Sequence, residues 1–153
     1  MKRILFVCLG NICRSPTAEA VFKKRVSKLI PNIIVDSAGT TNWHIGNPPD
    51  ARACAMAAEL GYDMSGLYAR AAIRDDFHDF DYVLAMDRQN LADLETLRNG
   101  QGTKPQLFMD FAPENSMREI PDPYYGGEDG FLQVVKMIEQ ASDGLIDQIL
   151  TLD

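Results

Sequence analysis

Near its amino terminus the chain reads Ile4-Leu5-Phe6-Val7-Cys8-Leu9-Gly10-Asn11-Ile12-Cys13-Arg14-Ser15-Pro16. The apolar run at its start predicts a strand that is buried on both faces. Gly10 and Asn11 are residue types that tolerate left-handed backbone, so a turn is expected after the strand. Ser15 suits the N-cap of a helix and Pro16 suits the first helical position, which predicts a helix to about residue 30.

Strand-like and helix-like segments alternate along the rest of the chain. We predict further strands over 33–35, 82–86 and 106–109, and helices over 50–60, 87–97 and 131–150. Such alternation implies an α/β fold, with a parallel sheet between helices on both faces. No repeat or linker interrupts it, so residues 1–153 are expected to form a single domain. Ligands of such sheets bind beyond the carboxyl ends of the strands, which favours the loop 8–14 as the site.

Length and charge narrow the possible functions. The chain has 153 residues and a formal net charge of -7, so it is a poor candidate for binding nucleic acid or anionic membranes. No apolar run approaches the ~20 residues needed to cross a bilayer. The first apolar stretch breaks at Gly10-Asn11 without a cleavage site, so we expect a cytoplasmic protein. Three cysteines without a disulfide pattern suit a reducing compartment.

The loop 8–14 combines the features of a phosphate site. It leads into a helix N-terminus, whose free N–H groups and dipole attract anions. Backbone N–H groups of the loop that turn inward can bind an oxyanion. The planar guanidinium of Arg14 can bind two phosphate oxygens at once. We expect Cys8 to ionise readily there, with help from the Ser15 hydroxyl, and to act as a nucleophile. The alternative is that Cys8 only packs in the strand and that Arg14 lies on the surface. The strand before the loop, the turn within it and the helix start after it together disfavour this alternative.

A second candidate lies in a late loop that reads Ile120-Pro121-Asp122-Pro123-Tyr124-Tyr125-Gly126-Gly127. Expelling an alcohol or a phenol needs a proton donor, and Asp122 can supply the proton. On its own, an aspartate in a Pro-rich loop is more typical of a turn. The phosphate loop makes the role of general acid the better interpretation.

Three motifs together closely resemble the low-molecular-weight protein tyrosine phosphatases of bacterial type. They are the stretch 7–16, Asp36-Ser37-Ala38-Gly39-Thr40 with Trp43 downstream, and Asp122-Pro123-Tyr124-Tyr125. Their order and spacing match that family along essentially the whole chain. The resemblance implies a four-stranded parallel sheet, no metal or other cofactor, and a phosphocysteine intermediate.

The resemblance also implies a role for each site residue. Cys8 attacks phosphorus, Arg14 stabilises the equatorial oxygens, and Asp122 protonates the leaving phenolate and later activates water. Substrate-binding residues are expected at Leu9, Gly10, Asn11, Ile12, Cys13, Ser15, Trp43, Tyr124 and Tyr125. Read from the residues alone, Trp43 is equally a packing anchor or a wall of the site. The two tyrosines can also be phosphorylation targets.

One departure from the family lies at Leu67, where bacterial members commonly carry a histidine that supports Asn11. Either the network of Asn11 is satisfied otherwise, for instance by Tyr68, or the loop is looser. The resemblance further suggests that Cys13 forms a reversible disulfide with Cys8 under oxidation, although Cys13 also suits packing beneath the loop. Cys54, in an Ala-rich helix, is expected to lie in the core.

Two alternatives to a phosphatase remain. Arsenate reduction would use the same cradle, but it needs further cysteines near the end of the third strand, and the segment 83–87 has none. A protein that binds phosphotyrosine without turnover would need neither a thiolate nor an acid.

The expected partner is a phosphotyrosine-containing protein, with a bacterial tyrosine kinase as the family-level example. We expect a monomer or a weak dimer.

Overall fold

The computed structural model describes residues 2–124 and 127–152. Within them, a parallel sheet has the strand order β2-β1-β3-β4. The strands are β1 (Lys2–Cys8), β2 (Ile33–Gly39), β3 (Tyr82–Ala85) and β4 (Gln106–Leu107). The predicted four-stranded parallel sheet is confirmed. Because the chain continues from β1 to β2 on one side and to β3 on the other, the carboxyl end of β1 lies at a switch point.

Helices cover both faces of this sheet. They are α1 (Arg14–Val26), α2 (Ala51–Glu59), α3 (Asp76–Asp79), α4 (Arg88–Arg98) and α5 (Glu128–Leu152). Successive residues of β1 point to opposite faces, as the period of a strand requires. Ile4 and Phe6 pack into a core that includes α1 and α5, whereas Leu5 and Val7 pack with Phe77 of α3 and with α4. The predicted three-layer arrangement is therefore confirmed.

Several boundaries differ from the sequence predictions. The N-cap of α1 is Cys13 rather than Ser15, because the Ser15 hydroxyl is engaged inside the phosphate loop. That helix also ends at Val26 rather than near residue 30. The strand predicted over 106–109 has only two residues and continues as a 3-10 helix, Phe108–Phe111. The short helix α3 was not predicted, and α5 begins three residues earlier than expected.

None of the helices within residues 2–124 and 127–152 combines the length and the apolarity that crossing a membrane requires.

Candidate active site

The loop between β1 and α1 has a left-handed residue at its centre. Asn11 has a φ of 58° and is almost fully buried. Gly10 was expected to share this conformation but is not among the residues with positive φ. Its small size matters instead, because a Cβ at Gly10 would lie 2.8 Å from Cδ2 of His44.

A second glycine, at the end of β2, lets the loop lie close to the sheet. A Cβ at Gly39 would lie 2.8 Å from the carbonyl oxygen of Leu9 and 3.2 Å from the backbone nitrogen of Asn11. Backbone atoms of this loop cannot move away without disturbing its N–H groups, so position 39 requires glycine. Its role was not predicted, although Gly39 belongs to the second motif of the resemblance.

The side chain of Asn11 holds the loop in shape from behind. Its Nδ2 donates to Oγ of Ser15 at 2.8 Å and to Oγ of Ser37 at 3.0 Å. Its Oδ1 accepts a hydrogen bond from the backbone N–H of Arg70 at 2.9 Å. The amide therefore uses both donors and its acceptor, and the buried left-handed turn is braced by three separate segments.

This network continues to a buried carboxylate and does not use Tyr68. Oγ of Ser37 donates to Oε1 of Glu19 at 2.8 Å, and Lys23 pairs with Oε2 of Glu19 at 2.5 Å. The suggestion that Tyr68 replaces the family histidine is wrong, because Tyr68 is 67% exposed and the side chain of Asn11 bonds to Ser15, Ser37 and the backbone of Arg70 instead. Leu67 instead packs against the hydrophobic core.

Cys8 is the last residue of β1 and is buried at the base of the loop. Its Sγ lies 3.0 Å from Oγ of Ser15. Oγ of Ser15 accepts a hydrogen bond from Asn11, and its single proton can be directed either at this sulfur or at the carbonyl oxygen of Ala38, which lies 3.3 Å away. The sulfur thus lies between the Ser15 hydroxyl and the N-terminus of α1.

Arg14 is buried rather than placed on the surface. Its Nη1 donates to Oδ2 of Asp87 at 2.6 Å and to the carbonyl oxygen of Ile120 at 3.0 Å. Burial works against the charge, but the Cys8 thiolate and Asp87 outweigh it and raise the pKa of Arg14. The guanidinium therefore stays charged and is fixed on one edge, which leaves its other edge directed at the site. The contact of Asp87 with Arg14 was not predicted from the sequence, in which Asp87 was recognised only as the start of a helix.

The loop, Arg14 and the late loop enclose one cavity of about 130 Å³. Its lining consists of Cys8, Leu9, Gly10, Ile12, Cys13, Arg14, Trp43, His44, Asp122 and Tyr124. Asn11 and Ser15, both predicted to bind substrate, are instead buried behind this lining. Tyr125 lies outside the described residues.

Two neighbouring residues, Trp43 and His44, lie at the mouth of the cavity. Trp43 is 68% exposed and lines the cavity, a position that favours a wall of the site over a packing anchor. His44 packs on Gly10 at the same rim and was not among the site residues predicted from the sequence. Its position directly after Trp43 is the signal that would have suggested it.

Asp122 faces Arg14 across the cavity. Its Oδ2 lies 3.6 Å from Nη2 of Arg14, and its Oδ1 accepts a hydrogen bond from the backbone N–H of Tyr124 at 3.0 Å. The carboxyl group is partly exposed, whereas the following Pro123 is buried. A carboxyl with one oxygen anchored and the other turned towards the cavity is suited to exchanging a proton with a bound group.

The second cysteine of the loop differs chemically from the first. Burial, together with the nearby charges of Asp50, Cys8 and Asp122, raises the pKa of Cys13 to about 12. Cys13 is therefore a neutral thiol at physiological pH and is unsuited to nucleophilic attack. Both loop cysteines are free, and Cys54 is free in α2, where it is only partly buried.

Comparison with known proteins agrees with this geometry. The model of the low molecular weight phosphotyrosine protein phosphatase family matches residues 3–151. The chain belongs to this family. It is 38% identical over 152 residues to the low molecular weight protein-tyrosine-phosphatase YfkJ of Bacillus subtilis, covering 97% of this chain and 96% of the relative. The human low molecular weight phosphotyrosine protein phosphatase is 46% identical over 135 residues, covering 85% and 84% of the two chains.

The phosphatase also shares its fold with a solved relative. The crystal structure of YfkJ from Bacillus subtilis superposes with a TM-score of 0.93 at 36% identity, covering 100% of this chain and 97% of that one. The resemblance drawn from the three motifs is thus confirmed, as is the prediction of an enzyme of the protein-tyrosine-phosphatase class.

Proposed function

We propose that this phosphatase hydrolyses phosphotyrosine through a phosphocysteine formed on Cys8, with Arg14 binding the phosphate and Asp122 acting as general acid and base. The observation that carries this proposal is the convergence of the three side chains on one cavity. They come from β1, from the start of α1 and from a loop more than a hundred residues later. A protein that only binds phosphate has no need of a buried thiol and a carboxyl in the same cavity.

In the first step, the Cys8 thiolate attacks phosphorus and forms an S–P bond while the bond from phosphorus to the aryl oxygen breaks. Asp122 gives its proton to that oxygen, so a neutral phenol leaves. Arg14 and the N–H groups of the loop stabilise the negative charge on the equatorial oxygens. The Ser15 hydroxyl, whose Oγ lies 3.0 Å from Sγ of Cys8, can donate to the sulfur while the sulfur carries negative charge, both before attack and as the leaving group.

In the second step, the Asp122 carboxylate takes a proton from a water molecule as the water oxygen attacks phosphorus. The S–P bond breaks, inorganic phosphate forms, and the thiolate of Cys8 is restored. Asp122 is again protonated and ready for the next cycle, so no external acid or base is consumed.

The cavity also supports an aryl substrate carried by a protein. Trp43 and Tyr124 supply aromatic walls beside the phosphate loop, which suits a flat ring between them. A free nucleophilic cysteine needs a reducing environment, which favours a cytoplasmic location. We therefore expect phosphotyrosine proteins as partners, a tyrosine kinase among them, and a monomer or weak dimer as the working state.

The test compares the wild type with Cys8→Ser, using p-nitrophenyl phosphate near pH 5.5. We expect Cys8→Ser to lose turnover while it still binds inorganic phosphate, because the N–H groups and Arg14 remain. Activity that persists in Cys8→Ser would place the nucleophile elsewhere. A folded wild type that binds a phosphotyrosine peptide without releasing phosphate would favour a binding protein instead.

Activity should also peak on the acid side of neutral pH. The first step needs a protonated Asp122 together with an ionised Cys8, and that combination is lost as pH rises. A kcat/KM that climbs steadily to pH 9 would contradict Asp122 as the acid.

A further inference from the structure

Arg52, in the first turn of α2, connects the phosphate loop with the loop that carries Asp122. Its Nη2 donates to the carbonyl oxygen of Tyr124 at 2.8 Å. The guanidinium also lies 5.4 Å from the ring centroid of Tyr124 and 4.9 Å from that of Phe131, within the range of cation–π attraction. One side chain thus touches both the backbone and the ring of the residue two positions after Asp122.

Arg52 is itself held in place from the other side. Nε and Nη2 donate to the carboxylate of Asp50 at 3.2 and 3.1 Å. Asp50 caps α2 by accepting from the backbone N–H of Arg52 at 2.8 Å, and its own N–H donates to the carbonyl oxygen of Ile12 in the phosphate loop at 2.8 Å. Burial opposes its charge, but these hydrogen bonds from Arg52 lower the pKa of Asp50, so the pair is ionic at the working pH.

We propose that Arg52 is a positioning residue for the general acid, and this inference rests on the proposed function of Asp122. Tyr124 is the link between the two residues. Its carbonyl is fixed by Arg52, while its N–H donates to Oδ1 of Asp122 and so orients the carboxyl group. The other carboxyl oxygen then faces Arg14 and the cavity.

The segment around Asp122 belongs to no helix or strand. The contacts of Arg52 with Tyr124 therefore matter for its position. The chain before Asp122 is anchored where the N–H of Ile120 donates to the carbonyl of Met86 at 2.8 Å. Arg52 supplies an anchor after Asp122, so the acid is held from both directions. Loss of the second anchor leaves the phosphate loop and Arg14 intact but lets the carboxyl drift, and small displacements of a catalytic group are costly.

The distinguishing experiment varies the leaving group. Protonation of the leaving oxygen speeds the first step greatly when phenol leaves from phenyl phosphate. It has less effect when the more acidic p-nitrophenol leaves. The value of kcat/KM on both substrates is measured for Arg52→Met, which keeps an unbranched stem but has no charge and no hydrogen-bond donor. It is also measured for Arg52→Lys, Asp122→Asn and the double variant Arg52→Met/Asp122→Asn. Arg74→Met, which changes an exposed arginine before α3, is the matched control.

We expect Arg52→Met to lose about tenfold on phenyl phosphate, a part of the 10²–10⁴-fold that an acid contributes, and much less on p-nitrophenyl phosphate. Inhibition by inorganic phosphate should stay at its wild-type value, and Arg52→Lys should recover part of the loss. The double variant should be no worse than Asp122→Asn, because the position of a missing acid has no effect. Arg74→Met should match the wild type.

Different failures have different meanings. If the loss of kcat/KM in Asp122→Asn depends on the leaving group but Arg52→Met behaves like the wild type, the positioning role of Arg52 is overturned and the proposed function stands. Equal losses on both substrates with weaker phosphate inhibition would overturn it too, since Arg52 would then act on the phosphate loop. If Asp122→Asn itself shows no dependence on the leaving group, Asp122 is not the acid and both proposals fall.

Discussion

Nη1 of Arg14 lies 2.6 Å from Oδ2 of Asp87, although the two residues are 73 positions apart in the chain. The same carboxylate caps α4 by accepting from the backbone N–H of Asn90 at 2.7 Å with its other oxygen. Asp87 therefore joins Arg14, for which we propose phosphate binding, to the helix that follows β3. This contact fixes the plane of the guanidinium before any substrate arrives.

Replacing Asp87 by Asn should lower kcat/KM about 10–100-fold, the scale of one hydrogen bond between charged groups. Asn keeps the cap of α4 but loses the ionic anchor of Arg14. Vanadate, which imitates the five-coordinate transition state, should inhibit correspondingly less. Inorganic phosphate should be affected less than vanadate, because removal of a nearby negative charge favours an anion. An unchanged kcat/KM would show that Arg14 is held well enough by Ile120.

Gly39→Ala should lower both stability and activity. The new methyl group would meet backbone atoms of Leu9 and Asn11, and strain of this kind costs about 1–3 kcal/mol. We expect a lower Tm and weaker inhibition by inorganic phosphate, because the displaced loop carries the N–H donors. Gly130→Ala is the control, since its Cβ would make only an ordinary contact of 3.7 Å with Pro123. Equal behaviour of the two variants would contradict the close-approach argument.

Leu67→His should not improve the enzyme. Both donors of the Asn11 amide and one lone pair of its oxygen are already engaged, so the turn is braced without a histidine. We expect kcat/KM to stay within about twofold and the free energy of unfolding to fall by about 1 kcal/mol, because Leu67 packs on the core. Asn11→Ala, which breaks the network, should lower kcat/KM at least tenfold. A tenfold gain in Leu67→His would show that the loop of the wild type is loose.

The two cysteines of the loop should differ in alkylation. The pKa of Cys13 is raised to about 12, so at pH 7 only on the order of one Cys13 in 10⁵ is a thiolate. Iodoacetamide at pH 7 should therefore modify Cys8 and spare Cys13, and a rise to pH 9 should leave Cys13 mostly unmodified. Mass spectrometry of peptides from the wild type and from Cys8→Ser measures this directly. Modification of Cys13 at the rate of Cys8 would contradict the raised pKa.

The elements around the loop 8–14 could be predicted from the sequence because they are local. The strand, the turn, Arg14 and the start of the helix all lie within residues 4–16. Over such a short stretch, the spacing of the residues limits the conformations that the chain can adopt. The left-handed Asn11 and the cap of α2 by Asp50 follow from residue type for the same reason. The parallel sheet was likewise predicted, because apolar runs alternate with helical patterns along the chain.

What the sequence could not supply are contacts between distant segments. Asp87 reads as a helix cap and becomes the anchor of Arg14 only because β3 lies beside β1. Arg52 reads as a surface residue of a helix, and only the folded chain brings Tyr124 to it. Gly39 and His44 matter because of how closely the backbone of the phosphate loop approaches them. Spacing along the chain determines which groups are available, whereas packing of the sheet and helices decides which of them meet.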